Sequence, residues 1–169
     1  CQWAKALGAK VVGTVSTHEK ADVARAAGCH YPVVRSEQSF VDVVREVTDG
    51  EGCAVVYEAI GKDTLQHSLD SLRPMGVCAA YGHVSGPPDP VDIIQDLGRR
   101  GSLFITRPAI MHYVAKRADL EWTARDLFKA IGDGLLEANI NYEYALKDAV
   151  KAHEAIESGK TLGATVLIP

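Results

Sequence analysis

Lys10-Val11-Val12-Gly13-Thr14-Val15-Ser16-Thr17-His18-Glu19 is the stretch on which the fold turns. Its first half is a β-branched apolar run, the composition of a buried strand. Its second half has the S-x-x-E form of a capping box, so a helix is expected to open where the strand stops. That helix continues through Ala21, Val23, Ala24 and Ala27 and is stopped by Gly28. A strand feeding directly into a helix is half of a β-α-β unit, and the flanking sequence repeats the pattern.

Upstream, Gln2-Trp3-Ala4-Lys5-Ala6-Leu7 reads as the last turns of an amphipathic helix, with Gly8 as its left-handed stop. Downstream, His30 to Val34 is a short strand weakened by Pro32, which suits an edge. Phe40, Val41, Val43, Val44 and Val47 recur at helical spacing, and Gly50 and Gly52 end that helix. Ala54-Val55-Val56-Tyr57 is a second apolar strand, entering the turn Glu58-Ala59-Ile60-Gly61. A helix through Leu65, Leu69 and Leu72 is expected to break at Arg73-Pro74-Met75-Gly76, before the buried strand Val77 to Tyr81. After the loop Gly82 to Gly86 and the stiff Pro87, Pro88 and Pro90, a short helix around Ile93 to Leu97 leads to the strand Ser102 to Thr106. Arg107-Pro108 closes that strand, and a long helix spans roughly Ala118 to Ile131. Short apolar strands alternating with helices predict an α/β fold, a doubly wound parallel sheet covered on both faces. From Asn139 the pattern changes to a strand at Tyr142 to Leu146, a helix at Lys147 to Glu157 and a strand at Ala164 to Ile168. The chain is therefore expected to divide into residues 1–138 and a separable β-α-β tail, 139–169.

Composition narrows the function classes. A net charge of −4 argues against a nucleic-acid partner, which demands a concentrated basic face. No apolar run approaches the ~20 residues of a membrane span, and no stretch has the form of a secretory leader. Cys1, Cys29, Cys53 and Cys78 lie too far apart for a zinc motif or a dense disulfide framework. They are expected to be buried free thiols in a reducing cytoplasm, with no metal site.

Ligands of a doubly wound fold lie at the carboxyl ends of the strands. Three strand ends are candidates. At the first, a site for NAD would place an acidic residue against the ribose 2′-hydroxyl. Here the strand ends in uncharged Ser16, with Lys20 and Arg35 close in sequence, which suits the 2′-phosphate of NADP. The same residues also read as a helix cap and a solvated lysine, and the two readings are compatible. At the second, Gly61 is either the turn its helix needs or a backbone platform beside the nicotinamide ribose. At the third, Tyr81-Gly82-His83 offers a glycine for close approach to a flat ring, and His83 reads equally as a surface histidine. No G-x-G-x-x-G is present, nor any glycine-rich turn between a strand and the opening helix, so no cradle for a pyrophosphate is expected.

Together these segments resemble the medium-chain dehydrogenase/reductase superfamily, and within it the zinc-independent quinone oxidoreductases. The resemblance is carried by Cys1 to Ser16, Val55 to Thr64, Ser68 to Pro74 and Thr165 to Pro169, and most specifically by Gly101-Ser102-Leu103-Phe104-Ile105-Thr106-Arg107-Pro108. It implies NADPH-dependent reduction, by hydride transfer, of quinones or of conjugated carbonyl compounds such as enones. It implies Ser16 and Lys20 at the adenosine 2′-phosphate, joined by Arg35 where the family usually has Tyr. Gly61 matches the glycine after the family's fourth strand, and Tyr81, Gly82 and His83 border the nicotinamide. The family more often has Phe-Gly-Asn there, so His83 is a substitution. The Ser102 to Thr106 strand would pair with its twin across a homodimer axis, as an exposed apolar edge requires.

The resemblance further implies a Rossmann-like sheet lacking its first strand, which would lie between the Lys10–Val15 and Ala54–Tyr57 strands. Residues 139–169 would belong to a GroES-like catalytic domain, and the acid–base residues of the reaction would lie outside this chain. Loss of a buried strand removes on the order of 10 kcal/mol, against a domain stability of ~5–15 kcal/mol. The 169 residues by themselves are therefore expected to be inactive and unstable. Two alternatives stand beside this reading: a non-catalytic NADPH-binding relative, and another nucleotide-using α/β enzyme such as a methyltransferase.

Overall fold

In the computed structural model, which describes residues 1–169, helix α1 (Gln2–Ala6) ends in a turn at Gly8, with φ of 81°. Strand β1 (Val12–Val15) follows and delivers the chain to helix α2 (His18–Ala26). The cap falls one residue later than the S-x-x-E pattern predicts. Thr17, extended at φ −145°, accepts the Lys20 backbone N–H at 3.3 Å, so Ser16 is released from capping. Strand β2 (Tyr31–Val34) pairs in parallel with β1, Pro32 standing opposite Gly13. Its other edge has no strand partner, which is where a proline's missing donor is tolerated. Helix α3 (Phe40–Val47) is capped by Ser39, whose Oγ accepts from the Asp42 N–H at 3.3 Å.

A second sheet, order β3-β4-β5 and all parallel, comprises β3 (Cys53–Glu58), β4 (Leu72–Ala80) and β5 (Phe104–Thr106), with helix α4 (Leu65–Asp70) between β3 and β4. Two expectations change here. Arg73-Pro74-Met75-Gly76 does not break the chain before a strand; β4 begins at Leu72 and runs through it. The pairing with β3 shifts register between Cys53 and Val55, and Met75 takes φ of 59°, so a bulge accommodates the proline. Strand β5 starts two residues later than expected, because Ser102 sits at φ 58° and Leu103 turns into the core. A π-type helical turn over Ile93–Gly98 precedes it, capped by the Asp92 carboxylate, which accepts from Ile94 and Gln95 N–H at 2.7 and 2.8 Å. Helices α5 (Ile110–Tyr113) and α6 (Arg117–Gly132) follow. The tail is the β-α-β piece expected: β6 (Ile140–Ala145), a 3₁₀ turn, α7 (Ala149–Glu157) and β7 (Ala164–Ile168), the two strands parallel.

The core of the second sheet is Leu65, Leu69, Leu72, Cys78 and Leu103. Each buried leucine there contributes ~2 kcal/mol. Val33, Val34, Val41 and Val44 are buried on β2 and α3. The sheets β1-β2 and β3-β4-β5 are not hydrogen-bonded to each other, and helix α3 packs against β1, β2 and α4. Strands β1 and β3 thus each keep an edge without a strand partner. On β3, Val55 and Tyr57 share a face that is left partly open, Tyr57 to 76%. No helix is long and apolar enough to cross a membrane.

Candidate functional site

At the carboxyl end of β3, Glu58 is only 4% exposed, yet its carboxylate is fully engaged. Oε1 accepts from the backbone N–H of Ile60 at 2.6 Å and of Gly61 at 3.1 Å, and from the Thr64 hydroxyl at 2.9 Å. Oε2 accepts from the Ser68 hydroxyl. Thr64 and Ser68 are four residues apart at the start of α4, so one helical face presents both hydroxyls to the strand end. Burial by itself would push the Glu58 carboxyl up. The bonds from Ser68, Gly61, Ile60 and Thr64 together outweigh it and hold the group below the ordinary carboxylate range.

This turn is locked to the loop that follows β4. The N–H groups of Tyr81, Val84 and Ser85 donate to the carbonyls of Glu58, Ala59 and Ile60 at 2.9, 3.3 and 2.8 Å, and Lys62 N–H donates to Gly86 O at 3.1 Å. The two glycines singled out in the sequence make that contact possible. A Cβ on Gly61 (φ 95°) would stand 2.5 Å from Gly86 O and 2.9 Å from His83 Cα, and one on Gly82 would collide with the Ala59 backbone. Gly61, Tyr81, Gly82 and His83 are therefore brought together, through two loops packed on each other.

The end of β5 joins the same cluster. Arg107 Nη1 donates to Ala80 O at 2.8 Å, and Nη2 lies 3.2 Å from His83 Nδ1. A guanidinium can only donate, so Nδ1 is the acceptor and the ring proton of His83 sits on Nε2. Arg107 and Glu58 received no role from the sequence. The signals were present: a carboxylate closing a buried strand ahead of a T-x-x-x-S pair, and an arginine in the most specific family string. What neither revealed was the strand register, Ala79 opposite Thr106, that sets Arg107 against Ala80.

Ser16, Lys20 and Arg35, expected from the sequence at a 2′-phosphate, lie around the end of β1. Ser16 is exposed, and the Arg35 N–H donates to Val15 O at 3.1 Å, which fixes Arg35 beside the strand end. The Arg35 guanidinium forms none of the chain's ion pairs, while neighbouring His18 and Glu37 pair with each other at 2.9 Å. Lys20 behaves differently from the solvated lysine considered above: its Nζ donates to Gly159 O in the tail at 2.6 Å. One of three ammonium donors is thereby used, leaving two. A hydroxyl with two cations is a donor set that fits a phosphate.

Of the cysteines, Cys29 and Cys78 are buried, Cys53 is half-buried, and Cys1, contrary to expectation, is exposed. Burial and the nearby Glu58 and Cys53 push the Cys78 thiol up to about 11, so it stays protonated and inert. No three His, Cys, Asp or Glu side chains gather in metal-binding geometry.

The sequence profile of the zinc-binding dehydrogenase family matches residues 1–122. A 2-haloacrylate reductase of a Burkholderia species is 52% identical over 167 residues, covering 99% of this chain and 50% of that protein. Quinone oxidoreductase 1 of Escherichia coli is 40% identical, covering 100% of this chain and 52% of its own length. The crystal structure of E. coli quinone oxidoreductase complexed with NADPH superposes with a TM-score of 0.93 over 100% of this chain and 52% of that one. That of 2-haloacrylate reductase gives 0.92 at 51% identity, over 99% and 52% of the two chains. The chain thus spans about half the length of the relatives it matches.

Proposed function

Because this chain belongs to the zinc-binding dehydrogenase family, within the medium-chain dehydrogenase/reductase superfamily, we propose that it binds NADPH and serves the reduction of quinones or of conjugated carbonyl and carboxyl compounds. One observation carries the reading: the turns after β3 and β4, sealed together by Gly61 and Gly82 at the carboxyl edge of a parallel sheet. The names of the two relatives, one a quinone reductase and one a 2-haloacrylate reductase, bracket the substrate range. Both kinds of substrate present an electron-poor conjugated double bond.

Ser16, Arg35 and Lys20 would hold the 2′-phosphate, Lys20 with the donors that its contact to Gly159 leaves over. Gly61, Tyr81, Gly82 and His83 would flank the nicotinamide; the Glu58 carboxylate fixes the first of their two loops, and backbone bonds tie the second to it. When bound, NADPH supplies a hydride; the protein's part is to position the acceptor and exclude water. In this reading residues 1–138 form the dinucleotide-binding unit, residues 139–169 pack with a catalytic domain, and the enzyme works without zinc in the cytoplasm. The β5 edge, where Phe104 is 60% exposed, meets its twin in a homodimer.

Titrating the full-length protein with NADPH, then adding a quinone and following NADPH absorbance, tests the assignment. Saturable binding followed by oxidation is expected. Binding without oxidation would favour the non-catalytic alternative, and no binding would sink both.

A further inference from the structure

The tail β6-α7-β7 shares no strand pairing with the other two sheets. Two side chains fasten it. At its entry the Gln2 amide grips the backbone of Glu137. The Glu137 N–H donates to Gln2 Oε1 at 2.9 Å, and Gln2 Nε2 donates to Glu137 O at 3.3 Å. Beyond the far end of α7, Lys20 Nζ donates to Gly159 O at 2.6 Å, the one hydrogen bond that crosses from residues 1–138 into 139–169. Gly159 lies just past the last turn of α7, left-handed at φ 68°. The negative end of a helix dipole attracts an ammonium at that position. The tail is thus anchored at its entry by Gln2 and latched at the end of α7 by Lys20.

The latch is made by a residue given above to the 2′-phosphate. A long lysine stem loses its rotamer freedom once, at whichever contact forms first. A second contact at the same Nζ then forms without that cost, so the two favour each other. Gly159 O takes one of three ammonium donors, which leaves the phosphate its own and removes any need to compete.

We propose that Lys20 is a positioning residue that bridges the cofactor's 2′-phosphate to Gly159 O, so that NADPH, and not NADH, secures the tail. This rests on the NADPH reading given above and adds a coupling between the phosphate and a residue outside its donor set. Such coupling is reciprocal. Whatever displaces the Gly159 carbonyl weakens NADPH by the factor by which NADPH steadies it.

Hydrogen exchange of the full-length protein tests the latch. The amides of Ser158 and Gly159, bonded to Glu154 O and Ile156 O, report the last turn of α7. With each nucleotide at saturation, NADPH should slow their exchange about fivefold more than NADH does. Adenosine 2′,5′-bisphosphate, which carries the phosphate without the nicotinamide, should slow it more than AMP. Lys20→Gln should abolish these differences, and Lys20→Arg should retain them, since arginine keeps donors for both oxygens. Gly159→Val supplies the reciprocal arm. A Cβ there meets no atom within 4 Å, but a β-branched residue disfavours the left-handed backbone and displaces the carbonyl. It should weaken NADPH binding about fivefold and leave NADH binding unchanged. The wild-type comparison and the Gly159→Val arm each stand without Lys20→Gln, should that variant fail to fold. Equal protection by both nucleotides, faster exchange with NADPH, or Gly159→Val affecting both nucleotides alike overturns the latch and keeps the NADPH reading. A wild type that binds no NADPH removes that reading, and the latch with it.

Discussion

Glu58 gathers two backbone amides and two hydroxyls onto one buried carboxylate, so its negative charge is part of the fold of its turn. Replacing it with glutamine keeps the volume and loses the charge-assisted bonds. Glu58→Gln should therefore cost about 2 kcal/mol of stability, read from chemical denaturation of the full-length protein. The pH dependence has a definite sign. A carboxyl held low in the folded state stabilises fully above its unfolded value of ~4.3, and that contribution is lost as pH falls through the folded value. Thermal midpoints measured downward from neutral pH should fall less steeply in Glu58→Gln than in wild type. At the other strand end, Arg35→Ala and Lys20→Ala should each weaken NADPH binding by about tenfold with little effect on NADH, because only NADPH carries the 2′-phosphate. Equal losses for both nucleotides in fluorescence titrations would remove the phosphate assignment.

At the scale of elements, the site is made by loops that hold each other rather than by any one strand. The turn after β3 and the loop after β4 exchange backbone bonds at distances of 2.8 to 3.3 Å, and they approach so closely that only glycine fits at two points. Gly82→Ala should force these loops apart. We expect NADPH affinity and the thermal midpoint to drop together, with a loss of about 2 kcal/mol or more in stability, since the obstruction is backbone and cannot rotate away. Helix α2 offers a contrast. Thr17→Ala removes its cap and should cost about 1 kcal/mol, a loss that Ser16→Ala should not reproduce. Denaturation midpoints of the two single variants separate the cap from the hydroxyl proposed to meet the phosphate.

At the scale of the whole molecule, buried residues number only 19 of 169, so much apolar surface is open to contact. Val55 and Tyr57 on β3 and Trp122 and Phe128 on α6 are among the exposed groups. Surface of this kind is where a further domain or a second copy packs. For the β5 edge the expectation is specific. Phe104→Asp places a charge on the strand proposed to pair across the dimer, and the full-length protein should then sediment at half its wild-type mass. An unchanged mass would locate the dimer interface elsewhere.

Strand and helix order, the parallel sheet and the β-α-β tail were legible in the sequence, because apolar periodicity and glycine stops are local properties of consecutive residues. The strand ends that carry Ser16, Gly61 and Tyr81 to His83 were legible for the same reason: a turn after a buried strand announces itself in a few residues. Periodicity could not foresee that β4 runs through Arg73-Pro74-Met75-Gly76 on a bulge, or that Thr17 rather than Ser16 caps α2. Each depends on a backbone dihedral or a pairing register, and neighbouring residues alone do not set these. Nor could it foresee that Glu58 collects four donors, or that Arg107 bonds to His83 across 24 positions. Those contacts join residues that only the parallel stacking of β3, β4 and β5 brings within hydrogen-bond reach.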